Sequence, residues 1–197
     1  MIQDFTYHSS KIEGLTLTYH ETISYLKYGF LEGKQQSKDD AVDIFSIKNH
    51  QQILELYFNE YESKSLSIEN IQNAQKIIYE AEFLNKPFDI YNPALGEYKY
   101  QSNFVKLKDE LGNIYFHEFM KPHLVTQAMI KLVDDTNVKL NNIDVNIIEL
   151  HPIVVAAQFQ YEFLNIHPFE DGNGRTARLF SNLIVMKNYY PPLLIRG

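Results

Sequence analysis

Two apolar runs, Ile153 to Ile166 and Leu179 to Met186, flank a polar stretch of twelve residues, His167-Pro-Phe-Glu-Asp-Gly-Asn-Gly-Arg-Thr-Ala-Arg178. Runs of this length predict two buried helices joined by a polar loop. Elsewhere the pattern is more amphipathic. Ile71, Ala74, Ile78 and Ala81 recur at helical spacing within Ile68 to Phe83, and Ser67 stands where an N-cap belongs. Val42, Phe45, Leu54, Leu56 and Phe58 supply an apolar side to Ala41 to Tyr61, ahead of which Ser37 and Asp40 have capping-box spacing. Pro122 suits the first turn of a helix to about Val133, Asp144 the cap of a helix Val145 to Leu150, and Pro152 the start of the helix entering the polar loop.

Near the N-terminus, Ser9 or Ser10 is placed to cap a short helix that Gly14 ends. Thr18 caps a second, Tyr19 to Tyr28, which Gly29 stops. Gly33 to Asp40 and the Pro- and Tyr-containing Lys86 to Tyr100 read as loops. Asn103 to Leu107 and Asn113 to Phe116, around Asp-Glu-Leu-Gly-Asn, are β-prone and form the single hairpin. The expectation is a mainly α fold, one domain over 1–197, with an N-terminal segment 1–33 and a helical core 40–197.

Composition narrows the chemistry. With 45% hydrophobic residues in 197, the chain can build one substantial core. A formal net charge of -7 argues against a broad face for nucleic acid. The absence of cysteine removes disulfides, thiol nucleophiles and thiolate metal sites. Neither a signal-like start nor an apolar run of about 20 residues is present, so no membrane association is expected and a cytoplasmic location is the default. No phosphate-binding P-loop run occurs, and His151 does not stand at ligand spacing from His167.

The polar loop carries the candidate chemistry. Glycines at 172 and 174 allow backbone N–H groups to turn toward an anion, and the following helix adds its unpaired N–H groups and positive dipole end. Arg175 and Arg178 are three apart and share one side of that helix. His167 titrates in the range useful to a proton acceptor, and Asp171 is a hard oxygen ligand. Together they describe a phosphate site with a base beside it. Phe169, flanked by polar residues, is expected to turn inward and anchor the loop.

This stretch resembles the Fic-family signature His-x-Phe-x-Asp/Glu-Gly-Asn-Gly-Arg-x-x-Arg at every defined position. Ala156-Ala157 and Asn188-Tyr-Tyr-Pro-Pro192 agree with its usual surroundings, and the likeness extends from about Tyr98 to Pro192. Ser9-Ser-Lys-Ile-Glu13-Gly14 matches the family's inhibitory pattern, in the subclass that carries it at its own N-terminus. The resemblance implies a Fic fold with a hairpin flap beside the active site. It also implies transfer of AMP from ATP, with Mg2+, to a Ser, Thr or Tyr hydroxyl of a target protein; Tyr7 and nearby hydroxyls are candidates for self-modification.

In that scheme His167 accepts the proton and Asp171 holds the metal. Gly172, Asn173 and Gly174 form an anion hole, to which the Asn173 side chain contributes, while Arg175 and Arg178 grip the outer phosphates. Ser9 and Glu13 belong to the inhibitory segment, Glu13 pairing with Arg178. A target docks by strand addition at the flap, and family members also bury the inhibitory helix in homo-oligomers. Three alternatives stand beside this: removal of AMP using Glu13, another nucleotide donor, and a nucleotide-responsive module with a vestigial site. Related proteins continue beyond the position of Gly197, so the chain reads as a possible fragment.

Overall fold

A computed structural model describes residues 1–31, 38–85 and 95–197; the side chains of 38–39 and 81–85 fall outside that description. The loops expected at Gly33 to Asp40 and Lys86 to Tyr100 therefore lie largely outside the described residues, as do the Ser37 cap and the Ala81 side chain. Among the described residues the chain forms α1 (Ile2–Ile12), α2 (Tyr19–Tyr28), α3 (Lys38–Asn59), α4 (Ile68–Asn85), the hairpin β1 (Phe104–Lys108) and β2 (Ile114–Glu118), α5 (Pro122–Leu140), α6 (Pro152–Ile166) and α7 (Asn173–Lys187). The mainly α expectation with one hairpin holds.

Local chemistry accounts for many boundaries. Thr18 and Glu21 make a reciprocal capping box at α2, and Gly29, at φ 79°, ends it in the left-handed conformation. The Ser67 hydroxyl accepts from the Asn70 backbone N–H at 3.2 Å, capping α4. The strands pair antiparallel from Phe104 with Glu118 to Lys108 with Ile114. Asp109 closes their turn by accepting from the N–H groups of Leu111 and Asn113.

Several expectations are corrected. Ser9 and Ser10 do not cap α1, which begins at Ile2; both are buried inside it because their hydroxyls serve tertiary partners. On α3 the buried stripe runs through Ile44, Ile47, Leu54 and Phe58, whereas Phe45 and Leu56 fall off its spacing and are exposed. Helix α5 continues past Val133 to Leu140. The buried Thr136 donates to the Leu132 carbonyl, and the Asn137 side chain donates to the Leu66 carbonyl. No helix spans Val145 to Leu150. Asp144 accepts from the Asn146 N–H in a tight turn, and only a 3-10 turn, Ile148–Leu150, precedes Pro152.

Helix α7 is the centre of the molecule. Its residues from Arg175 to Val185 are all buried, and it touches α1, α3, α4 and α6. The main core joins Ile53, Leu54, Ile71, Ile78, Met129, Phe159, Phe163 and Phe180 around it, while Leu15, Leu17, Leu31, Ile44 and Ile47 make a second cluster beneath the N-terminal segment. A helix enclosed on all sides reads as continuously apolar, but this one carries arginines, Thr176 and Asn182 into the interior. Its first turn therefore combines rigidity with buried charge. No helix among the described residues is long and apolar enough to cross a membrane.

Candidate active site

Two backbone reversals bracket the loop between α6 and α7. His167 ends α6 in the left-handed region at φ 50°, and Gly172, at φ 75°, precedes α7. A non-glycine residue in that region costs about 1–2 kcal/mol, so the surroundings must hold it there. They do so largely through main-chain groups. Phe169 is fully buried, its ring near Tyr98 and Phe163, as expected of an anchor. Asn173 closes the loop: its side chain accepts from the Phe169 N–H and donates to the Phe169 carbonyl, both at 2.9 Å. The Asn173 carboxamide oxygen and one of its two N–H donors are thus used within the loop, and the Gly172 N–H donates to Asp171 Oδ1 at 2.6 Å.

Residues outside the loop also donate to carbonyls in and beside it. The Lys99 ammonium donates to Ile166 O at 3.3 Å and the Lys99 backbone N–H to Pro168 O at 2.8 Å. The Asn103 side chain donates to Phe169 O at 3.2 Å and Gln75 to Asp171 O at 3.0 Å. The His167 ring stacks on Phe119 with centroids 3.9 Å apart and planes 16° off parallel. Burial, and after it the Lys99 charge, push the His167 pKa down to about 4, while the Leu164 carbonyl, Asp171 and Glu13 pull the other way. At neutral pH the imidazole is uncharged and able to accept a proton. Burial also brings Lys99 down to about 8, against the pull of Glu118 and Glu170.

The first turn of α7 meets α1. Arg178 is buried and donates through Nε to Ser9 Oγ at 2.8 Å and through one terminal nitrogen to Ser9 O at 2.9 Å and Glu13 Oε1 at 2.6 Å. Burial lowers the Arg178 pKa, and Glu13 opposes that shift. Glu13 also lies directly over Gly174: a Cβ there would stand 2.1 Å from Glu13 Oε1. The carboxylate therefore rests on the N-terminal end of α7, where the helix dipole favours an anion. Arg175, also buried, donates to Ser46 Oγ at 2.8 Å.

Beside this contact Glu13, Ser46, Asp171 and Arg175 line a cavity of about 170 Å³. That is below the roughly 300 Å³ at which ligand pockets begin. Among the described residues no group of three or more His, Asp and Glu could enclose a metal. The lone Asp171 carboxylate beside amide donors does fit Mg2+, which takes one or two carboxylates and fills its shell with phosphate oxygens and water.

A model of the Fic/DOC family matches residues 65–185, more than half of the chain. The chain belongs to the Fic/DOC family. It is 30% identical over 190 residues to the protein adenylyltransferase Fic of Drosophila willistoni, and 28% identical over 195 residues to protein adenylyltransferase fic-1 of Caenorhabditis briggsae. The alignments cover 96% and 97% of this chain but 33% of each relative, so the chain spans about a third of their length. A Fic domain containing signaling protein from Bacteroides thetaiotaomicron superposes with a TM-score of 0.78 at 30% identity, over 99% of this chain and 66% of that one. Fic-1 from C. elegans gives 0.70 at 25% identity, over 98% and 50%.

Within this Fic domain the expected site residues converge. Asp171, Arg175 and Glu13 share one cavity, Ser9 and Glu13 meet Arg178, and His167 opens the loop leading to them. Sequence reasoning missed Lys99, Asn103, Phe119 and Gln75, which brace the loop, and His50, buried beneath α1 with Nδ1 3.1 Å from Ser10 Oγ. Only the position of Lys99, Asn103 and Phe119 within the stretch of family likeness marked them. His151 stands at the entry to α6, accepting from the Ile153 N–H and meeting the Tyr190 hydroxyl.

Proposed function

We propose that this chain transfers AMP from ATP to a hydroxyl side chain of a protein, and that Glu13 holds it in a self-inhibited state. The observation that carries the proposal is the Glu13 carboxylate resting on Gly174 and bonded to Arg178. That carboxylate lies where a phosphate would bind, and it engages the arginine suited to grip the outer phosphates.

In the reaction the target hydroxyl oxygen bonds to the α-phosphorus, the bond from that phosphorus to the bridging oxygen breaks, and pyrophosphate leaves. His167 takes the hydroxyl proton; its Nδ1 is buried, which leaves Nε2 for the task. The N–H groups of 172–174 and the α7 dipole face the charge on the phosphate, and Arg175 and Arg178 hold the outer phosphates once Glu13 has left. Asp171 would hold Mg2+, which offsets phosphate charge when bound. Phe104, Ile114 and Phe116 are exposed on the hairpin, in keeping with strand addition by the target.

A second reading has the same observation behind it. A carboxylate over the α7 N-terminus is also placed to hold a water against a protein-bound AMP, and Glu13 would then serve removal of the group.

The test compares parent, Glu13→Gly and Glu13→Gly/His167→Ala proteins with Mg2+ and α-phosphate-labelled ATP, with intact mass read alongside. The expected result is labelling at least tenfold above the parent in Glu13→Gly and background labelling in the double variant. Equal labelling of parent and Glu13→Gly would overturn self-inhibition. Loss of AMP removal on Glu13 substitution would favour the second reading.

A further inference from the structure

The contacts around His167 form a closed circuit outside the signature motif. Lys99 takes Ile166 O with its ammonium and Pro168 O with its backbone N–H. Its ammonium also donates to Asn103 Oδ1 at 2.6 Å, and Asn103 Nδ2 takes Phe169 O. The Phe119 N–H donates to the Asn103 carbonyl at 3.2 Å, and the Phe119 ring covers His167. The ammonium stands 5.9 Å from the centroid of that ring as well.

We infer that Lys99 is a positioning residue for His167, acting with Asn103 and Phe119 as one clamp that holds the imidazole in the orientation needed to accept a proton. The inference rests on the role given to His167 in the function proposed above.

Three features favour this over simple support of the fold. Lys99 is only 3% exposed, and burying an ammonium costs several kcal/mol in effective desolvation. Its hydrogen-bond partners are an amide oxygen and a main-chain carbonyl, neither of which neutralises it. An apolar side chain would fill such a site at less cost, so the charge calls for a use. The clamp also acts on both sides of the residue in the left-handed conformation, at Ile166 and at Pro168, where the backbone is least willing to stay.

Electrostatics agree with the geometry. The charges bearing on His167 are Lys99, which favours the neutral ring, and Asp171 and Glu13, which oppose it. Glu118 and Glu170 bear in turn on Lys99.

The test uses the full chain with Glu13→Gly as reference, to which Lys99→Met, Lys99→Arg or Phe119→Leu is added. ATP affinity is measured by calorimetry with Mg2+, transfer by single-turnover labelling, and the His167 titration by NMR without nucleotide. For Lys99→Met the expectation is ATP affinity within twofold of the reference, transfer slower by about tenfold or more, and His167 titrating at higher pH. Lys99→Arg should recover most of the rate, and Phe119→Leu should slow transfer with ATP affinity kept. A Lys99→Met protein with an unmoved His167 titration would overturn the inference. So would loss of ATP binding in step with transfer for both Lys99→Met and Phe119→Leu. If the reference itself transfers nothing, the proposed function fails, and the NMR titration still decides the clamp.

Discussion

Two sets of contacts bear on the junction between the loop and α7, and they differ in kind. On the α1 side a side-chain carboxylate, 31% exposed, meets a buried arginine and lies over Gly174 at the N-terminal end of α7. On the side of Lys99 and Asn103 the contacts are to main-chain carbonyls and are buried or partly buried. A bond to the backbone fixes the path of the chain, and breaking it leaves a polar group without a partner at a cost of about 1–3 kcal/mol. A half-open ion pair can exchange its carboxylate for another anion at little cost. The backbone contacts shape the loop; in the proposed function the ion pair opens or closes the site.

The comparison breaks most visibly at Phe169. Replacing this fully buried anchor by alanine should cost about 3–5 kcal/mol in urea unfolding and abolish transfer even with Glu13→Gly present. Glu13→Gly should instead change function far more than fold. Next comes Asn173→Ala, which leaves the buried Phe169 N–H unpaired; a loss of about 1–3 kcal/mol is expected in the same measurement. Gly174→Ala sharpens the other side. Its methyl group would occupy the place of Glu13 Oε1, which is also where a phosphate would bind in the proposed function, so transfer should fall about tenfold or more even with Glu13→Gly present. A Gly174→Ala/Glu13→Gly protein that transfers as fast as Glu13→Gly alone would refute the shared place of carboxylate and phosphate.

The smallest effect is the pH response. With the His167 pKa lowered to about 4, the neutral ring persists well below pH 6.5, so transfer by Glu13→Gly should hold nearly level from pH 7 to 5. Removing Glu13 takes away a group that raises this pKa, so the acid limb should not move upward. The linked stability has the same sign. It is present in full above the unfolded-state value near 6.5 and is lost as the pH falls toward 4, because only the unfolded chain takes up the proton readily.

The motif from His167 to Arg178 and the Glu13 segment were both visible in the residues, because a signature of fixed spacing needs no knowledge of what surrounds it. The α2 cap was visible for a similar reason: Thr18 and Glu21 satisfy each other within one turn. The bracing residues were not visible. Lys99 and Asn103 look like ordinary polar residues at the edge of a hairpin, and their partners lie more than sixty positions away. Ser9 and Ser10 illustrate the reverse error. Their type suggests a cap, but Arg178 and His50 claim the hydroxyls.

By itself, then, the sequence determined the helical class, the hairpin, the chemistry of the loop and the pairing of an N-terminal acid with a distant arginine. The helical class and the hairpin rest on local propensity and periodicity, which act over a few positions, whereas the pairing of Glu13 with Arg178 was implied only by the resemblance to the family signature. Tertiary structure alone decided that Asn173 closes the loop on Phe169, that Glu13 rests on Gly174, and that Lys99 lies buried behind His167. Each of these depends on which unpaired backbone group comes within reach of a side chain after folding, and the order of residues along the chain does not carry that distance.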